Sequence, residues 1–314
     1  MDANTAGARS GPAPSFLSAL ARGPLVLDGG LSNQLEAGGE RLDGALWSAR
    51  LLAERPRAIV AAHRAYFAAG ADLATTATYQ ATFEGFARCG ADRTRAAELL
   101  RLGVELAREA ASGAPDGRPR WVAASVGPYG AMLADGSEYR GRYGLGVAEL
   151  ERFHRPRLEV LAEAAPDVLA LETVPDADEG RALVRAVRGL GVPAWLSYSV
   201  LGDRTRAGQP LVEAFAVAAE ADEVVAVGVN CCTPDDADAA VALAARVTGK
   251  PVVVYPNSGE RWDAARRTWA GPVRFAADRV DAWWAAGARL VGGCCRVGPT
   301  TVSEIAAGVA ARRR

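Results

Sequence analysis

The sequence predicts a single (β/α)₈ barrel of the TIM-barrel class, and three observations carry that prediction. From Pro24 onward, short β-branched or apolar runs alternate with Ala-, Leu- and Arg-rich amphipathic stretches, the signature of buried strands and covering helices. The alternation repeats eight times over roughly 290 residues, matching a fold that typically takes about 250 residues with insertions. No G-x-G-x-x-G follows the first run and no P-loop spacing occurs, which disfavours a doubly wound open sheet.

Each unit has its own justification. PLVLD (24–28) leads to a helical pattern at 56–70, and DLATTAT (72–78) to one at 93–112. WVAASVG (121–127) precedes a Gly- and Tyr-rich polar insertion from Pro128 to Gly146, of the kind that covers or shapes a site. A helix at 147–165 follows it. VLALET (168–173) leads through Val174-Pro175-Asp176 to a helix at 176–188, and PAWLSYS (193–199) to one at 211–221. VVAVGVN (224–230) leads to 235–248, where Thr233-Pro234-Asp235-Asp236 offers an N-cap, a proline in the first turn and acids beside the helix dipole. PVVVYPN (251–257) and RLVGG (289–293) complete the set, with helices at 274–287 and 300–312. Gly70, Gly191 and Gly287 stand where helices should stop. Residues 1–20 are expected to be a flexible leader and 21–314 one barrel domain.

Composition excludes several function classes. Lys plus Arg (36) nearly balance Asp plus Glu (37) in 314 residues, so no basic field argues for nucleic acid or an anionic membrane. No apolar run is long enough to span a bilayer, and MDANTAGARSGPAPS lacks the apolar core of a signal peptide. A cytoplasmic, reducing location is expected, where cysteines stay free. The sequence is silent on assembly, and a monomer or weak homo-oligomer is expected. The two histidines, His63 and His154, both fall on helical patterns, leaving little material for Ser-His-Asp or Cys-His catalysis.

The chemistry concentrates at the strand ends, where barrels of this class build their sites. Two cysteine pairs, Cys231-Cys232 and Cys294-Cys295, end apolar runs. Adjacent cysteines seldom bridge each other, whereas thiolates gathered on a barrel rim suit a soft or borderline metal, zinc first. Cys231, Cys294 and Cys295 would leave one zinc position open for a substrate thiol, held as the thiolate nucleophile that alkyl transfer needs. Cys232 should point the other way, since strand residues alternate. A closed four-cysteine site and buried cysteines acting as small hydrophobes remain alternatives. Cys89 is isolated. Asp28 and Glu172 are acids at apolar strand ends, where an unpaired charge is costly, and either could pair with a substrate ammonium. The competing roles are a loop or helix cap for Asp28 and an arginine salt bridge for Glu172. Backbone N–H groups around Gly29-Gly30 or Gly292-Gly293 could take a carboxylate, and Trp47 and Tyr79 could wall the pocket. The residues expected to touch substrate are therefore Asp28, Gly29, Thr76, Glu172 and Asn230.

These motifs resemble a known family. LDGGLSNQLEAGG, LWSARLL, AGADLATTATYQATFEGF, SVGPYGA, LALETVPD, GVNCC, VYPNSGE and GGCCR, spread from about Leu25 to Thr301, are similar to those of homocysteine S-methyltransferases. That group includes S-methylmethionine-dependent enzymes and is related to betaine–homocysteine methyltransferase. The resemblance implies one zinc per chain on Cys231, Cys294 and Cys295, with Asp28 and Glu172 holding the homocysteine amino group. It also implies methyl transfer from a sulfonium or betaine donor, with no catalytic side chain beyond zinc activation of the thiol. Betaine enzymes carry a C-terminal extension, whereas this sequence stops after the eighth helix, so the shorter sulfonium users (S-methylmethionine or S-adenosylmethionine) are the expected match. Three cysteine thiolates and a substrate thiolate around Zn²⁺ would sum to about −2, which suits a cationic donor. Val297-Gly298 departs from the two threonines of many relatives. That departure leaves room for another thiol or a selenol as acceptor, or for a non-catalytic zinc-binding barrel.

Overall fold

A computed structural model describes residues 14–42, 46–114, 116–263, 268–275 and 278–312, leaving aside the side chains of Trp47 and of residues 261–269. Eight parallel strands form one sheet: β1 (Leu25–Val26), β2 (Leu73–Thr75), β3 (Trp121–Val126), β4 (Val168–Val174), β5 (Ala194–Tyr198), β6 (Val224–Asn230), β7 (Val252–Tyr255) and β8 (Ala288–Val291). Each pairs with its sequence neighbour, and β1 returns to β8 in register Leu25↔Leu290 and Val26↔Val291. A parallel bridge between Leu27 and Leu73 joins β1 to β2 and closes the barrel. The predicted fold class is the observed one.

Helices Pro56–Ala68, Arg93–Ser112, Val147–Glu163, Ala177–Ala186, Leu211–Ala216, Pro234–Thr248, Arg279–Ala285 and Pro299–Arg312 cover the outside. The Thr233 hydroxyl accepts the Asp236 N–H at 3.2 Å, and Pro234 opens the helix, as the sequence signals required. Alternation along the strands separates two apolar layers. Val26, Val122, Leu169, Leu196, Val227 and Val252 pack toward the helices, while Leu25, Trp121, Val168, Trp195, Ala226 and Val253 fill the barrel.

Three features depart from expectation. The proposed 1–20 leader does not reach residue 20. Residues 1–13 lie outside the described residues, but Ser15 caps a helix, Phe16–Arg22, whose Phe16, Ala19 and Leu20 join the barrel-interior cluster. Its apolar spacing is one face of two helical turns, too short a signal to separate from a disordered tail. The helix expected over 274–287 spans Arg279–Ala285, and antiparallel strands Arg261–Asp263 and Thr268–Ala270 precede it. A second small hairpin, Val200–Leu201 with Arg204–Thr205, extends the loop after β5. Among the described residues no helix is long and apolar enough to cross a membrane.

Candidate active site

The period of two that sorts the core also builds the site. Two residues beyond the last apolar inward position on successive strands come Thr75, Ser125, Glu172 and Ser197. They form a polar layer above the apolar barrel interior, completed by Asn230 and Tyr255. Glu172 accepts hydrogen bonds from the Ser125 hydroxyl and, at 2.9 Å, from Tyr255 Oη. The Trp195 indole N–H donates to Tyr255 Oη at 3.1 Å, and Ser197 Oγ lies 2.8 Å from the same oxygen. Asp28 receives the Thr75 backbone N–H at 2.7 Å and the Thr75 hydroxyl at 2.9 Å.

Both acids are buried, and among the described residues neither forms an ion pair. Burial pushes each carboxyl up to about 7, opposed by hydrogen bonds from Thr75 for Asp28 and from Ser125 and Tyr255 for Glu172. Among the described residues no arginine pairs with Glu172. Two carboxyls held away from water, with no cationic partner among the described residues, have the chemistry to receive an ammonium group.

Cys231, Cys294 and Cys295 converge, with their sulfurs all within 4.8 Å of one another. Cys231 Sγ lies 3.8 Å from Cys295 Sγ, and Cys294 Sγ lies 4.0 Å from Cys295 Sγ. The phenol of Tyr139, carried by the insertion after β3, lies 3.2 Å from Cys231 Sγ. Hydrogen bonds from Cys294, Cys295 and Tyr139 hold the Cys231 thiol well below its usual range, while sharing with Cys231 raises the other two. Such a trio can hold a metal ion. Cys232 belongs to the helix-side core, and burial raises its thiol above the usual range.

Two residues carry the backbone strain that makes this possible. Strict alternation through Asn230 would turn Cys231 toward the helices. A left-handed Cys231 (φ 49°) reverses the parity, placing Cys231 at the mouth and Cys232 in the outer core. Thr173 (φ 58°) does the same on β4, where the pairing register shifts between Leu171 and Val174. Its N–H donates to Asn230 Oδ1 at 2.7 Å, and Asn230 Nδ2 donates to Thr173 Oγ1 at 2.7 Å.

Some expected substrate contacts land elsewhere. Thr76 points out of the barrel: its hydroxyl accepts the Ser125 N–H at 3.0 Å and pairs with Thr78, so it braces β2 against β3. Thr75 occupies the inward position, as alternation from Leu73 would have indicated. Asn230 is wholly buried and serves the Thr173 turn. The N–H groups of Gly30, Gly292 and Gly293 are taken by Val297, Val254 and Asp28 carbonyls, so they are not available to a carboxylate. Gly29 and Gly30 instead permit close approach. A Cβ on Gly29 would meet Val297 O at 2.1 Å, and one on Gly30 would meet Cys294 O at 2.7 Å. Val297 is buried in the helix-side core and its carbonyl receives Gly30 N–H and Tyr66 Oη, so its side chain does not face the thiols. Tyr79 lies close to Thr173, Cys231 and Glu172, in keeping with a pocket wall, whereas the Trp47 side chain lies outside the described residues. Ser125, Tyr255, Thr75 and Tyr139 are not among the expected substrate contacts, although Thr75 and Tyr255 stand at strand ends where the sequence places the site; period-two counting identifies the first three, and nothing local identifies Tyr139.

Comparison with known proteins points to one family. A family model described as homocysteine S-methyltransferase matches residues 25–309. A homocysteine S-methyltransferase of Bacillus subtilis, YbgG, is 43% identical over 90% of this chain and 93% of its own. A selenocysteine Se-methyltransferase of Brassica oleracea is 42% identical over 93% and 90%. The metallated form of the homocysteine methyltransferase MmuM from Escherichia coli superposes with a TM-score of 0.82 at 41% identity, covering 91% of this chain and 96% of that one.

Proposed function

The chain belongs to the homocysteine S-methyltransferase family, and on that premise we propose that it moves a methyl group from a sulfonium donor to the thiol of L-homocysteine at a zinc centre. One observation carries the reading: three converging thiols share one barrel mouth with two buried carboxyls that have no cationic partner among the described residues.

The thiols fit zinc. Sulfurs at about 2.3 Å from a tetrahedral ion stand roughly 3.8 Å apart, close to the 3.8 and 4.0 Å separations of Cys295 from Cys231 and Cys294. Bound there, zinc would supply the positive charge that keeps an acceptor thiol ionised near neutral pH, with one position left for it. Asp28 and Glu172 would bind the homocysteine ammonium, with Thr75, Ser125 and Tyr255 fixing which carboxylate oxygens face it. The thiol proton leaves to solvent, and the sulfur forms a bond to the methyl carbon as the donor's S⁺–CH₃ bond breaks. That bonding pair stays on the donor sulfur, giving methionine and a neutral thioether. The anionic trio and the buried acids favour a cationic donor electrostatically. Free thiols also suit a reducing, cytoplasmic setting.

Zinc-loaded, reduced protein given homocysteine and methyl-labelled S-methylmethionine should form labelled methionine, and a chelator should stop it. The label is needed because both products are methionine. Label-free product with zinc bound, for both S-methylmethionine and S-adenosylmethionine, would overturn the proposal. A second acceptor, a selenol amino acid, is favoured by the 42% identity to the Brassica selenocysteine enzyme; ranking kcat/KM for homocysteine and selenocysteine decides between them. Because Cys232 sits in the helix-side core, Cys232→Ser should keep one zinc per chain and more than about half the turnover, at a stability cost of about 1–2 kcal/mol. Loss of zinc in that variant would indicate a closed four-cysteine site.

A further inference from the structure

The helices before and after β4, Val147–Glu163 and Ala177–Ala186, share a buried charged network that the methyl-transfer reading does not use. Arg157 Nη2 donates to the Gly127 carbonyl and to His154 Nδ1, 2.6 Å away. With Nδ1 accepting, His154 Nε2 carries the proton and donates to Glu179 Oε1 at 2.9 Å. Glu179 Oε1 also accepts the Tyr129 backbone N–H at 2.6 Å. His154, Arg157 and Glu179 are all essentially inaccessible to water. Gly127 and Tyr129 bracket the start of the insertion whose Tyr139 reaches Cys231.

The other end of that insertion is tied to the same helical turn. Asp176 Oδ2 accepts the Arg142 N–H at 3.2 Å, and its Oδ1 receives Gln209 Nε2 at 2.6 Å and the Asp178 N–H at 2.9 Å. Rings of Tyr129 and Tyr143 lie 5.2 Å apart, packing the two ends together. Asp176 and Glu179 follow Glu172 and Thr173 directly on the chain, so β4 supplies both the ammonium receptor and the anchors of the segment facing the thiols.

We propose that Asp176 and Glu179 are positioning residues that clamp residues 129–143 at both ends and thereby hold the Tyr139 phenol on Cys231. Burying three ionisable groups is expensive, and this network places two of its hydrogen bonds, to the Gly127 carbonyl and from the Tyr129 N–H, on the backbone where one loop begins. Neither acid touches the thiols; they act through Tyr139. The inference rests on the metal reading for one of its two measurements only.

The experiment compares Tyr139→Phe, Glu179→Gln and the double variant, measuring zinc affinity by chelator competition and amide hydrogen exchange of metal-free protein. Tyr139→Phe removes a partner of a ligand and should weaken zinc roughly 10- to 100-fold. Glu179→Gln should weaken it comparably, and the double variant should be no worse than either. Exchange should quicken in 129–143 while β3, β4 and β6 keep their protection. Unchanged zinc affinity in Glu179→Gln, additive losses in the double variant, or exchange quickened throughout the barrel would each overturn the proposal. If Glu179→Gln does not fold, Asp176→Asn releases the far end without stranding a buried charge and should give the same two results. A parent that binds no zinc would sink the metal reading, while the exchange pattern would still decide the clamp.

Discussion

Cys294→Ser protein should purify without stoichiometric zinc and should transfer methyl groups at least about 10³-fold more slowly than the parent, the scale of losing a principal electrostatic stabiliser. No other cysteine or histidine is placed to take over. Cys232 is committed to the outer core, Cys89 is a remote helix-end cysteine, and both histidines are buried in the helical layer. A serine hydroxyl does not ionise near neutral pH, so the remaining pair of thiols would face the ion with half-filled coordination. Metal content by elemental analysis and labelled-methionine formation read the two consequences separately. Full turnover with one zinc still bound would remove Cys294 from the centre. Cys231→Ser should behave alike, although its left-handed backbone (φ 49°) depends on residues around it and not on the sulfur.

Glu172→Gln should lower kcat/KM for homocysteine by about 10²–10³-fold, mostly through KM, because one partner of a buried charge pair is lost. The same residue makes binding depend on pH. Glu172 and Asp28 are each pushed up to about 7 in the free protein, chiefly by burial. An ammonium ligand favours the ionised form, so the Kd for methionine, which carries the amino group but no titrating thiol, should fall as pH rises through about 7. Stability moves the opposite way. The folded values lie above those of exposed acids, near 4, so the folded state holds its protons longer and loses stability as pH rises from about 4 to about 7. The drop in Tm between pH 5 and pH 8 should therefore be smaller in Glu172→Gln than in the parent. Methionine affinity flat across that range, or a parent no more pH-sensitive than the variant, would remove Glu172 from ammonium binding.

Much of this molecule is determined by local sequence. Eight runs of apolar residues, each followed by an amphipathic stretch with its own cap or proline, have one common solution when all strands are buried on both faces: a closed parallel barrel. The cysteines and acids could be placed on one rim because that fold gathers strand ends, and period two placed Glu172 inward with Val168 and Ala170. The same counting applied to Leu73 would have chosen Thr75 over Thr76. Tertiary structure decided the rest. The inward turn of Cys231 comes from a backbone conformation that L-residues seldom adopt, which only the surrounding packing can impose. Gly29 and Gly30 serve contact with the loop after β8, more than 250 residues away, so their role is invisible to any window along the chain. Phe16–Arg22 became a helix because the barrel interior offers its apolar face a place to bury, and Tyr139 meets Cys231 across 92 residues because buried groups on another helix hold its loop there. Alternation and capping are short-range and readable; strain, close approach and loop placement depend on partners that folding alone brings together.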